Sequence, residues 1–292
     1  MNNTTRAFGY AGLTVFFWST VATAFKLALQ ILDIYQLILY ACLTSCLVLL
    51  TALWIQGEIA LLGATFRQHW RITLISGLIN PLAYYLVLFA AYDQLPAQVA
   101  QPINYTWAIV LTVLSVVILG QRITRRDIFA TLVCYSGVVL ICIQGEWRLP
   151  AASLPGIALA LGSTLLWATY WIINIRDPRD STIALTLNFL VALPAALLLC
   201  SVMSSPVDVS VTGLGAAVYI GLFEMGLAFL FWSRALKLAP NTSRVSNLIF
   251  LSPFVSLLLI HNILGETIHL TTWIGLVVII SGLLIQQLPR TR

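Results

Sequence analysis

The chain is short of charge. Asp, Glu, Lys and Arg make up 9% of its 292 residues, against roughly 25% in a soluble domain. So few charges cannot cover a water-facing surface, which excludes an ordinary soluble fold. Polar residues do not recur at every third or fourth position of the apolar stretches, which excludes surface helices of the soluble kind. Short alternating segments are also missing, which excludes an outer-membrane barrel. There is no Gly-x-x-x-x-Gly-Lys-Ser/Thr loop, and neither of the two lysines, Lys26 and Lys237, follows a Gly-rich turn. The chain therefore does not itself hydrolyse ATP. A Gly-x-Ser-x-Gly elbow and a His-Glu-x-x-His helix are absent too. Long polar loops are lacking, so there is no room for a catalytic or partner-binding domain outside the apolar segments. The five cysteines (Cys42, Cys46, Cys134, Cys142, Cys200) lie within apolar stretches, and His69, His261 and His269 are scattered. No metal site or disulfide framework follows from them. The reading is of a non-enzyme with no cofactor and no metal.

What is present is hydrophobic length. Apolar residues make up 60% of the chain and the mean hydropathy is +0.96. Ten stretches are long enough to cross a hydrocarbon core of roughly 30 Å as helices. They are expected at 7–29, 34–55, 71–92, 97–119, 126–144, 153–174, 182–203, 211–234, 242–263 and 270–288. Turn signals separate them, among them Asp33, Gln56-Gly57-Glu58, Leu95-Pro96, Asp177-Pro178, Ala239-Pro240 and Gly265-Glu266. The first stretch has Arg6 before it but no small-residue cleavage site after it, so it reads as a retained anchor.

Placing both termini in the cytoplasm puts thirteen of the fifteen Lys and Arg on that side, with only Lys26 and Arg148 opposite. This is the positive-inside pattern. The net charge of +5 then reports topology and contact with an anionic lipid bilayer, and no nucleic-acid partner is expected.

The chain repeats weakly at one offset. Leu119-Gly120-Gln121-Arg122-Ile123 matches Leu264-Gly265-Glu266-Thr267-Ile268, and Ser136-Gly137-Val138-Val139 matches Ser281-Gly282-Leu283-Leu284. Residues 1–146 and 147–292 thus form two units of five helices each. Five is odd, so the second unit enters the membrane from the opposite side. The fold class expected is all-α integral membrane: ten transmembrane helices as two inverted-topology five-helix repeats, N- and C-termini cytoplasmic. Transporters that alternate access use such inverted repeats, with the substrate held between them near the bilayer midplane.

The second-half pattern Ala-Leu-Lys-Leu, Pro-Asn-Thr-Ser, Leu-Ser-Pro-Phe and Leu-Gly-Glu-Thr, ending on Trp273-Ile274-Gly275 and Ser281-Gly282, resembles the two-EamA-domain members of the drug/metabolite transporter superfamily. The segment Ile103-Asn104-Tyr105-Thr106-Trp107 is similar to one in the YddG-type aromatic amino-acid exporters; Ala108 stands where that family has Pro. Gln121 and Ala130 also depart from the wider pattern. The resemblance implies a secondary transporter in a bacterial inner (plasma) membrane. It would export small molecules, amino acids and aromatic ones especially, through a cavity of helices 1, 3, 4, 6, 8 and 9. An exporter of other small metabolites or drugs would share the same fold.

Polar groups within spans are costly and face a cavity or a partner helix. Glu224 is the one acidic residue expected at mid-span, and its repeat counterpart is Asn80, followed by Pro81 and, one turn on, Tyr84. Two readings stand for each: a substrate contact, or a buried group tying helices together. Gln98, Gln101 and Tyr105 form one stripe on the fourth helix, answered by Ser243, Ser246 and Phe250 on the ninth, with Asn247 adjacent. Trp18 and Trp167 lie midway along repeat-related helices and suit an aromatic wall. Trp54, Trp70 and Trp147 read as interfacial anchors.

Overall fold

The computed structural model describes residues 3–120, 124–144, 153–204, 210–239, 245 and 247–287. Every regular element among them is helical. In chain order they are α1 (Asn3–Leu29), α2 (Ile34–Gln56), α3 (Leu61–Gln94), α4 (Ala97–Leu119), α5 (Arg125–Cys142), α6 (Leu154–Ile175), α7 (Ser181–Met203), α8 (Val211–Leu238), α9 (Leu248–Leu264) and α10 (Leu270–Gln287). Seven of these are long and apolar enough to cross a membrane. α9 and α10 are shorter apolar helices, and α5 opens on Arg125, Arg126 and Asp127.

The helix ends follow from local chemistry. Asp33 caps α2 by accepting from the N–H groups of Tyr35 and Gln36, and the Gln36 side chain accepts from the Asp33 N–H in return. Thr124 and Asp127 make the same reciprocal box at the start of α5. Such boxes satisfy amide groups that the first helical turn leaves unpaired. Gly120 after α4 and Gly265 after α9 both stop their helices in the left-handed region (φ 68° and 70°), where a Cβ is disfavoured.

The third helix begins earlier than the 71–92 expected. Residues 61–70 continue it as a helical lead-in, and the backbone kinks at His69 (φ −126°, ψ 28°). Arg67, Gln68 and His69 read as a loop in the sequence. They lie in helix, with Phe66 and Trp70 exposed beside them. Inside the span, α3 leaves helical geometry at Asn80 (φ −135°, ψ 117°), because a proline at the next position disfavours helical backbone before it. The surrounding turn is widened over Leu78–Ala83, and α8 has the same widening over Ile220–Leu227. The start of the ninth span expected at 242 lies outside the described residues; Asn247–Leu251 forms a tight 3-10 turn leading into it.

Packing pairs the helices in a regular way. α1 lies on α8 and α9, whereas α6 lies on α3 and α4; α2 and α7 pack on each other, α2 also on α8 and α7 also on α3; α5 packs along α10. Small residues permit the closest crossings. A Cβ added to Gly137 would sit 2.6 Å from the Gly275 carbonyl oxygen, and one added to Gly275 would sit 2.6 Å from that of Gly137. Gly282 meets the Ala130 carbonyl oxygen at 2.9 Å in the same sense.

Candidate substrate cavity

Between the helices lies a cavity of about 320 Å³. α1 contributes Trp18, Val21 and Phe25, all on one face. α3 contributes Tyr84, Leu88 and Tyr92, four residues apart. α4 adds Gln101, Asn104, Tyr105, Trp107, Ala108 and Leu111; α6 adds Trp167 and Trp171. α8 supplies Glu224, Phe229, Trp232 and Leu236, and α9 supplies Ile249 and Phe250.

The walls are aromatic. Tyr84 stacks on Trp167 at 4.5 Å between centroids, and Trp107 lies nearly parallel to Trp171 at 6.2 Å. Phe229 bridges the two sides, 5.8 Å from Trp167 and 6.1 Å from Trp18. Such ring pairs contribute roughly 0.5–1.5 kcal/mol each beyond burial of area, so they hold the walls rigid as well as apolar.

Few polar groups reach the cavity. The Tyr84 hydroxyl donates to Asn104 Oδ1 (3.3 Å), and Asn104 Nδ2 donates to Ser163 Oγ (2.9 Å). Glu224 is 9% exposed, and its Oε1 accepts from the Tyr85 hydroxyl at 3.2 Å. Its Oε2 has no partner, nor does Gln101 Oε1, and Trp171 Nε1–H is an unpaired donor. A buried polar atom left unpaired costs roughly 1–3 kcal/mol. Three such atoms belong to residues that line the cavity.

At one end Phe25 packs edge-on to Phe89 and Tyr92 (4.9 and 5.3 Å). Beyond these rings Lys26 Nζ donates to the carbonyls of Tyr92 (2.6 Å) and Leu95 (3.0 Å) at the end of α3. Glu266 accepts from the N–H groups of Ala97 and Gln98 at the start of α4 (2.8 and 3.1 Å). Each charge meets the helix end of opposite partial charge, and together they lace that end of the bundle.

Of the residues singled out in the sequence, Trp18, Tyr84, Gln101, Tyr105, Trp167, Glu224 and Phe250 come together on this wall. Asn80 is 1% exposed and lies beside Tyr170, away from the cavity; the kink before Pro81 turns it toward α6 and α7. Gln98 belongs to the laced end, where its Nε2 donates to the Thr267 carbonyl and its Oε1 accepts from Thr272. Ser243 and Ser246 lie outside the described residues, as does the side chain of Asn247. The sequence leaves the Tyr170-Trp171 pair beside Trp167 open between cavity wall and lipid; Trp171 lies on the wall. Tyr85, Trp107, Phe229 and Trp232 were not anticipated, although Trp107 ends the segment that drew the family resemblance.

A multi-pass, all-helical inner-membrane protein with an aromatic cavity between its helices is the architecture of a small-molecule transporter. The EamA-like transporter family model matches residues 6–143 and again 154–286. The chain belongs to this family. The aromatic amino acid exporter YddG of Ancylobacter novellus is 24% identical over 203 residues, which is 68% of this chain and 69% of that protein. Protein PecM of Dickeya dadantii is 28% identical over 227 residues, 75% of this chain and 73% of its own. One solved structure superposes with a TM-score of 0.72 at 20% identity, over 98% of this chain and 97% of its own, a likeness of fold.

Proposed function

We propose that the protein is a secondary transporter that exports amino acids, aromatic ones especially, by alternating access. The observation that carries this reading is the aromatic cavity with its few unpaired polar atoms, of a size for one small ligand. The likeness to an aromatic amino acid exporter agrees with it.

Ten spans in two inverted five-helix repeats, residues 1–146 and 147–292, complete the proposal. The packing supports it. Shifting the first half onto the second exchanges α1 with α6, α3 with α8 and α4 with α9. Under that exchange the α1–α8 contact becomes α6–α3, and α1–α9 becomes α6–α4. The Gly137–Gly275 approach becomes Gly282–Ala130, which is also a close contact. The widened turns in α3 and α8 and the left-handed glycines after α4 and α9 correspond as well. With both termini in the cytoplasm, the laced end is the outer one, and this form faces the cytoplasm.

Counterflow in proteoliposomes tests the substrate. Labelled tryptophan, phenylalanine and tyrosine should accumulate against their unlabelled forms, with alanine and lysine well behind. Trp18→Ala and Trp167→Ala should each cut tryptophan exchange more than that of a small substrate, by roughly 2- to 12-fold if a single ring contact of 0.5–1.5 kcal/mol is lost. Equal loss across all substrates would make these rings structural.

A further inference from the structure

The wall of the cavity has one carboxyl side chain among the described residues, that of Glu224. Glu224 Oε2 and Gln101 Oε1 are both acceptors without a donor. Trp18, Tyr84, Trp107 and Trp167 line the same cavity, and aromatic rings attract cations to their faces. What remains for a ligand's own carboxylate is neutral: Trp171 Nε1–H and the Gln101 amide. Among the described residues the wall has no Lys, Arg or His; Lys26 is held at the laced end by two backbone carbonyls. A carboxylate held here would meet only neutral donors, which make weaker hydrogen bonds to it than a cation would.

We infer that the cavity prefers arylalkyl monoamines, molecules with an aromatic ring and one ammonium but no carboxylate, over the corresponding amino acids. The ammonium would donate to Glu224 Oε2 and Gln101 Oε1 while the ring packs among the tryptophans. This inference rests on the reading of the cavity as the transport site, and it extends the substrate class from zwitterions to monocations.

Calorimetric titration of the purified full chain with tryptamine, tryptophan and indole-3-propionate separates the possibilities, because the three share an indole ring and carry an ammonium alone, both charged groups, and a carboxylate alone. Tryptamine should bind at least 10-fold tighter than tryptophan, and indole-3-propionate should not bind at matched concentrations. In the Glu224→Gln variant the advantage of tryptamine over tryptophan should disappear. Comparable or tighter binding of tryptophan overturns the inference while leaving amino-acid transport standing; it would mean a cationic partner for the carboxylate. Binding of tryptamine with no tryptophan counterflow upholds the inference and removes the amino-acid assignment. Binding of none of the three removes both.

Discussion

Replacing Glu224 with Gln should lower tryptophan counterflow 10- to 100-fold while leaving the thermal midpoint of the purified protein nearly unchanged. The substitution keeps the shape of the side chain. Oε1 can still accept from the Tyr85 hydroxyl, now 3.2 Å away, so the contact between α3 and α8 survives. What changes is Oε2, the unpaired acceptor on the cavity wall, which becomes an NH2 donor. An ammonium placed there loses a hydrogen bond to a carboxyl group, worth roughly 1.5–3 kcal/mol when one partner is charged, and each 1.4 kcal/mol is a factor of ten. If exchange persists while the response to an imposed pH gradient is lost, Glu224 carries protons and does not hold the ammonium. If both activities match wild type, the residue is a structural acid.

The second large effect is expected at the crossing of α5 and α10. Gly137→Ala should destabilise the fold by roughly 1–3 kcal/mol, the range for overpacking a tight interior, and Gly137→Leu should abolish stable expression. A Cβ at position 137 meets the Gly275 carbonyl oxygen at 2.6 Å and the Ile279 amide nitrogen at 2.9 Å. Both are backbone atoms, so no side chain can swing away; the helices must separate. Helix association within lipid depends on close packing because lipid tails offer the same apolar surroundings, and a wider crossing is therefore not compensated. Gly63→Ala is the control. Its Cβ would meet nothing within 4 Å, and Ala is the better helix former. A thermal midpoint for Gly137→Ala equal to that of Gly63→Ala would show that α5 and α10 have room to spare.

Hydropathy and turn chemistry in the sequence made most of the helices legible, because a span needs length and apolarity and its ends need caps. Gly57, Gly120 and Gly265 each stop a helix where the sequence breaks. The first part of α3, residues 61–70, was not legible, since Arg67, Gln68 and His69 resemble a loop although they wind as helix. The cavity was legible in part. Glu224, Gln101 and Tyr105 declare themselves because a polar atom in a span needs a reason. Aromatic residues do so only where a repeat places them mid-span, as with Trp18 and Trp167. Lipid and helix core are equally apolar, so other rings can face either with no change in the surrounding pattern. Phe16, 57% exposed, and Phe229, on the cavity wall, look alike in sequence. Asn80 shows the converse: mid-span and polar like Glu224, it is turned away from the cavity by the break before Pro81.

The central claim is that this aromatic cavity is the path of the substrate. A single cysteine at Ala108, on the cavity wall, tests it most directly, in a background lacking Cys200, the one native cysteine that is not buried. A membrane-impermeant thiol reagent applied from the cytoplasmic side should modify Ala108→Cys and stop tryptophan counterflow, and saturating tryptophan should slow the modification at least 10-fold. Modification that proceeds equally fast with substrate present and leaves counterflow intact would contradict the account.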